Sequence, residues 1–311
     1  MKNRAEIVAA QITRSYGTTV ALDHIVMEVE KGEIFGLIGP DGAGKSTLFR
    51  IFTTLLLPDS GKATVMGYDC VTDYKAIRNR IGYMPGRFSL YQDLTVEENL
   101  TFYATVFKTT IKENYAIIRN IYSQIEPFKN RRAGKLSGGM KQKLALSCAL
   151  VHRPEILFLD EPTTGVDAVS RKEFWEILHG LKAQGITILV STPYMDEAVR
   201  CDRVGFIQNG QLFRIGEPRQ IIRSFPRKVF DISTSAPQKL FLALSKALGT
   251  HSVFRFGGTL HVYGDASLQV FLTAFATNHP DLQISVHETE AGIEDCFIEL
   301  MKAPPTAAEA K

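Results

Sequence analysis

Residues 39–46 read GPDGAGKS, directly after the apolar run EIFGLIG and directly before KSTLFRIFTTLL, and no other feature narrows the fold as far. The stretch fits G-x-x-x-x-G-K-[ST] in the strand–loop–helix setting that the pattern requires. Its glycines let backbone N–H groups converge on phosphate oxygens, and the following helix adds the positive end of its dipole. Gly39, Pro40, Asp41, Gly42, Ala43 and Gly44 are therefore expected to wrap a phosphate chain. Lys45 would reach the terminal phosphates, Ser46 would offer its hydroxyl to Mg2+, and Thr47 completes the set in the first helical turn.

Two further stretches supply what a phosphate loop lacks. In ILFLDE, residues 156–161, four apolar residues predict a buried strand whose end presents Asp160 and Glu161. Asp160 can hold Mg2+ through water, and Glu161 is placed to activate an attacking water. An acidic strand end that merely caps the next helix is the plainer alternative. In LSGGMKQK, residues 136–143, Ser137 reads as the N-cap of a helix running to about Val151. A cap does not need Gly138 and Gly139, which weaken a helix start by up to ~1 kcal/mol per residue. Bare N–H groups at a helix start suit an anion.

Around these motifs, short Val/Ile/Leu-rich runs alternate with helical patterns, which predicts an α/β core. EIVAAQIT, ALDHIVMEVE, IGYM, TILVS, RVGFIQNG and QLFRIG are strand candidates, and residues 95–151 read as mostly helical. From about Lys228 the order becomes β-α-β-β-α-β, the split pattern of a ferredoxin-like unit. The expected boundary lies near Phe225-Pro226, and the Pro- and Ala-rich residues 302–311 read as a linker or tail. With 36 basic and 33 acidic residues the net charge of +3 gives no reason to expect nucleic acid or anionic lipid. Four scattered cysteines without a C-x-x-C pair read as reduced thiols. No apolar run approaches the ~20 residues of a membrane span.

GPDGAGKST, LSGGMKQK and ILFLDEPTTGVD, in this order and spacing, resemble the nucleotide-binding subunit of an ABC transporter. The ferredoxin-like tail and the phrase FSLYQDLTVEENL resemble the ABC-2 exporter group, which includes drug-efflux ATPases. The resemblance implies a P-loop ABC nucleotide-binding domain at 1–225, with a RecA-like α/β core, an antiparallel β subdomain and a helical subdomain at about 87–153. A small ferredoxin-like α+β domain follows at 226–301. It implies ATP and Mg2+ as ligands, Tyr16 stacked on adenine, and Asp167 as the aspartate of the D-loop. For Tyr16 a half-buried aromatic at a strand end stays open as the alternative. Two such domains would pair head to tail, each ATP lying between one P-loop and the other domain's LSGG. Residues 88–100 would touch an ABC-2 type membrane subunit, unless they are a solvated loop, and the chain would sit on the cytoplasmic face of the inner membrane.

Two positions depart from the family pattern. Gly86 stands after IGYM where the family has a glutamine that senses Mg2+ and the attacking water, and Pro193 stands after TILVS where it has a histidine that contacts the γ-phosphate. A proline side chain can neither donate nor accept a proton. The chain is therefore expected to bind Mg-ATP and hydrolyse it poorly at its own P-loop, unless Thr192, Tyr194 or Arg87 substitutes. Its LSGG remains intact, so it would complete the site of a second, competent nucleotide-binding domain, either a separate subunit or the other half of a tandem protein. A non-transport ABC ATPase and a purely regulatory ATP-binding module are the rival readings.

Overall fold

The computed structural model describes residues 5–249 and 252–301; the expected tail at 302–311 lies outside the described residues. In chain order the first part runs β1 (Ala5–Tyr16), β2 (Thr19–Glu30), β3 (Ile34–Ile38), α1 (Lys45–Phe52), β4 (Ser60–Val65), β5 (Tyr68–Asp69), α2 (Tyr74–Arg78) and β6 (Ile81–Met84). Then follow α3 (Val96–Val106), α4 (Ile111–Tyr122), α5 (Gly138–Leu150), β7 (Ile156–Asp160), α6 (Ala168–Ala183), β8 (Thr187–Thr192), α7 (Met195–Ala198), β9 (Arg203–Gln208) and β10 (Gln211–Gly216).

Along β2, buried Ile25, Met27 and Val29 alternate with exposed neighbours, the pattern of a sheet with one wet face. This strand belongs to an antiparallel sheet of order β2-β1-β4-β5. β3, β7 and β8 are instead buried at every position, so both faces of their sheet must be covered. Their sheet has the order β10-β9-β3-β8-β7-β6, parallel except for β10. Parallel strands put their carboxyl ends on one edge, and in open α/β sheets that edge holds the ligand. β3, β7 and β8 end there at Ile38, Asp160 and Thr192. Between β6 and β7 the chain is helical, with α3 and α4 each opened by a capping box, Thr95 with Glu98 and Thr110 with Glu113.

One helix is shorter than its apolar pattern predicts. KSTLFRIFTTLL reads as helical to Leu56, but α1 stops at Phe52. The Thr53 hydroxyl donates back to Phe49 O (2.8 Å), and Thr54 follows with φ 64, which no helix accommodates. β4 and β5 carry no long apolar run, and their pattern does not mark them as strands. All four cysteines are buried and unpaired.

The chain divides into two units between Pro218 and Arg219, ahead of the boundary expected at 225. The reason is α8 (Pro218–Arg223): Ile221 is buried, and its carbonyl accepts from the Cys296 thiol, which ties this helix to the second unit. That unit continues β11 (Lys228–Ser233), α9 (Pro237–Leu248), β12 (Val253–Phe256), β13 (Thr259–Gly264), α10 (Ala266–Asn278), β14 (Ser285–Thr289) and α11 (Ile293–Leu300). Its sheet is antiparallel in the order β12-β13-β11-β14, the ferredoxin-like arrangement. Phe230, Ile232, Leu260 and Val262 of the sheet pack with Leu240, Leu244, Leu268 and Leu272 of α9 and α10.

α11 is pinned to this sheet by a buried carboxylate. Asp295 accepts from Tyr263 OH (2.7 Å), Gly292 N (2.6 Å) and His261 Nδ1 (2.7 Å). Burial raises the Asp295 pKa, but these three hydrogen bonds outweigh it and hold the group below the usual carboxylate value. A depressed carboxylate stabilises above its unfolded pKa, about 3.9, and the contribution disappears as pH falls through the folded value. Asp295→Ala should therefore cost about 2–3 kcal/mol at neutral pH, because buried donors lose their acceptor. Calorimetry of the full chain should show this loss at pH 7 and a shrinking difference from wild type below about pH 4.

Candidate nucleotide-binding site

The loop between β3 and α1 is held so tightly that only glycine fits at its ends. A Cβ on Gly39 would lie 2.1 Å from Ile207 O, and one on Gly44 would lie 2.4 Å from Ala21 O. Gly44 is also the N-cap of α1, with φ 106 and no side-chain cap, so the first-turn N–H groups are left for a ligand. Ser46 and Thr47 lie in that turn, while Pro40, Asp41 and Gly42 form the exposed crest with Ala43 buried beneath it.

Lys45 is only 3% exposed, and its Nζ has three partners: Gly39 O (2.8 Å), Pro40 O (2.9 Å) and Glu161 Oε1 (3.1 Å). Glu161 sits at φ 49, a left-handed conformation rare for this residue type, and its N–H donates to Ser191 Oγ (3.0 Å). The Ser191 hydroxyl donates in turn to Asp160 Oδ1 (2.6 Å), leaving Asp160 Oδ2 without a hydrogen bond among the described residues. Nothing in the sequence marks Ser191; it lies within an apolar strand, and only the β7–β8 register reveals it.

These residues fit a nucleotide with its metal. The loop offers N–H groups and an ammonium to phosphates, yet two carboxylates stand beside the same space. Phosphates placed beside these carboxylates would be repelled unless cations lie between them; Lys45 is one, and a divalent metal would supply another. Ser46 and Asp160 would hold Mg2+, which would neutralise phosphate charge. Arriving phosphates would take Lys45 from Glu161 and free that carboxylate to orient a water.

Of the two departing positions, Gly86 lies against Asp160, and Pro193 directly follows the end of β8 at Thr192. A Cβ on Gly86 would lie 3.2 Å from Asp160 O and 3.7 Å from Asp160 Oδ2, so a side chain there would start over the metal-side carboxylate. Pro193 follows Thr192, whose carbonyl accepts from Gly39 N (3.4 Å). Of the neighbours, Thr192 Oγ1 accepts from Tyr194 N (3.0 Å), and Arg171 lies 4.7 Å over the Tyr194 ring. Arg87 is exposed.

In the signature segment Ser137 and Gly138 are exposed, Leu136 is buried, and residues 139–143 are half-buried. Ser137 caps α5 by accepting from Met140 N (3.4 Å), and Gly138 is open to solvent. The glycine pair also has a packing reason that its sequence does not show. A Cβ on Gly139 would lie 2.8 Å from Ser170 Oγ, whereas one on Gly138 would meet only Gly165 O at 3.3 Å. Asp167 caps α6, its Oδ1 accepting from Val169 N and Ser170 N; the Ser170 N–H, as largest cause, holds its pKa below the usual carboxylate value. Tyr16 ends β1 with 45% of its surface exposed.

A phosphate loop on the central strand, an acidic strand end beside it and a glycine-opened helix define an ATP-binding cassette. The ABC transporter family profile matches residues 22–164, and the chain belongs to the ATP-binding proteins of that family, which are ATPases. It is 36% identical over 242 residues to Nod factor export ATP-binding protein I of Rhizobium sp. (strain N33), covering 76% of this chain and 80% of that one. It is 41% identical over 288 residues to the probable multidrug ABC transporter ATP-binding protein YbhF of Escherichia coli, covering 90% of this chain. The chain spans about half of that protein's length, 49%. A solved ATP-binding subunit of an ABC transporter has the same fold, with a TM-score of 0.64 at 28% identity, covering 70% of this chain and 92% of the other.

Proposed function

We propose that this chain is the ATP-binding subunit, or one half of a tandem ATP-binding protein, of an exporter of drugs or other small molecules. It binds Mg-ATP through residues 39–47, Asp160 and Tyr16, pairs head to tail with a second nucleotide-binding domain, and drives ABC-2 type membrane subunits through residues 88–100. Among the described residues no helix is long and apolar enough to cross a membrane. In this reading the chain works at the cytoplasmic face of the inner membrane, and the membrane subunits supply the translocation path. Export is favoured by the relatives named for multidrug transport and Nod factor export. The reading of the site rests on Gly86 and Pro193, which stand where the family pattern has polar groups, beside a phosphate loop whose Lys45 is in place. Binding needs the loop, Lys45 and Mg2+, whereas turnover needs contacts that strengthen in the transition state. Removing one such contact costs ~10²–10³ in rate.

Restoring both groups tests this. Gly86→Gln with Pro193→His should raise kcat above either single change, with a non-additive gain, because both act on one transition state. The 3.2 Å approach to Asp160 O requires a shift of a few tenths of an ångström at position 86, so the single glutamine should gain less than ~10²-fold. Steady-state phosphate release checks it; a double variant no faster than wild type would count against the emptied-site reading.

A further inference from the structure

The hairpin end that carries Tyr16 is braced in a way the phosphate site does not require. Tyr16 pairs with Thr19 across Gly17-Thr18, with Gly17 at φ 58, and its ring would be free to turn in water at such a tip. Arg14 lies over one face of that ring, its guanidinium carbon 5.3 Å from the centroid. The guanidinium is in turn held by Asp59, Nη1 to Oδ1 at 2.5 Å. Asp59 is itself fixed, accepting at Oδ2 from Ser15 N (2.7 Å) and donating its own N–H to Thr13 O (2.9 Å). One aspartate thus grips residues 13, 14 and 15 and holds the guanidinium over the ring.

We propose that Arg14 and Asp59 are positioning residues for base recognition: Asp59 fixes the Arg14 guanidinium on one face of Tyr16, which presents the other face to a purine. This inference rests on the reading of Tyr16 as the adenine platform. A ring held on one side gives up less freedom when a base stacks on the other, and an exposed cation–π contact is worth enough to bias it. The device acts on the base alone. Nucleotides with a base should feel it, and a bare polyphosphate should not.

The test is equilibrium binding of Mg-ATP and of Mg-tripolyphosphate to the full chain. Tyr16→Ala should weaken ATP by about tenfold or more and leave tripolyphosphate unchanged. Arg14→Ala and Asp59→Asn should each weaken ATP about two- to fivefold, again with tripolyphosphate unchanged. Arg14→Lys should fall between Arg14→Ala and wild type, since an ammonium keeps the charge but not the plane. Arg14→Ala added to Tyr16→Ala should cost nothing further, because Arg14 acts through the ring. Parallel loss of tripolyphosphate, or full additivity in the double variant, would mean that Arg14 only supports the fold or touches phosphate, and the proposal falls. A loss with Tyr16→Ala but none with Arg14→Ala overturns the positioning role alone. A silent Tyr16→Ala overturns the platform and the positioning role together.

Discussion

Lys45→Ala should reduce Mg-ATP affinity by ~10²-fold or more, to the point where the isolated chain shows no binding at micromolar concentrations. The ammonium is nearly sealed from water and bridges Gly39 O, Pro40 O and Glu161. Removing it would delete the charge-assisted contact expected with the β- and γ-phosphates, which is about twice as strong as a neutral hydrogen bond. It also leaves Glu161 uncompensated beside the phosphate space, so the same change that deletes an attraction adds a repulsion. Both effects act in one direction, and Glu161→Gln in the Lys45→Ala background should recover part of the loss. Titration calorimetry checks this; a Lys45→Ala chain within tenfold of wild type would show that the loop does not hold phosphate as described.

Gly138→Asp should remove most ATPase and transport activity from the assembled complex, by ~10²-fold or more. In the head-to-tail pair Ser137, Gly138 and Gly139 would face the nucleotide on the partner's P-loop. An aspartate there sets a carboxylate against the γ-phosphate and blocks the positive end of α5. The fold should tolerate the change with a shift of a few tenths of an ångström, since the new Cβ meets only Gly165 O at 3.3 Å and position 138 is exposed, whereas position 139 would collide with Ser170. ATP binding by the isolated chain should therefore stay within about twofold of wild type while activity of the complex collapses. Activity in membranes against nucleotide affinity of the isolated chain is the comparison to make.

Much of this architecture is legible in the amino-acid sequence. The phosphate loop, the strand ending in Asp160 and Glu161, and the Ser137 cap are local patterns, in which a few adjacent residues carry the signal. The β-α-β-β-α-β order of the second unit is legible too, because its strands and helices are cleanly separated by turn residues. What stays hidden depends on contacts between distant segments. Ser191 reaches Asp160 only through the β7–β8 register, and Asp59 meets Arg14 only because β4 lies beside β1. The early stop of α1 is hidden for a different reason: TTLL continues the apolar period, while the Thr53 hydroxyl bond that helps end the helix leaves no mark in that period. The Gly138-Gly139 pair points to open N–H groups by its composition alone, and half of its reason, the close approach of Ser170 to residue 139, is packing.

Glu161→Gln in the full membrane complex, set beside Gly138→Asp in the same preparation, separates the two composite sites most directly. Glu161 would orient water only for ATP on this chain's own P-loop, where Gly86 and Pro193 stand in place of polar groups. Gly138 would serve the partner's ATP. A complex whose turnover runs at the partner's P-loop should keep a large fraction of its ATPase and transport after Glu161→Gln and lose nearly all of it after Gly138→Asp. If Glu161→Gln proves the more damaging of the two, this chain's own site is the working one, and Gly86 and Pro193 do not impair it.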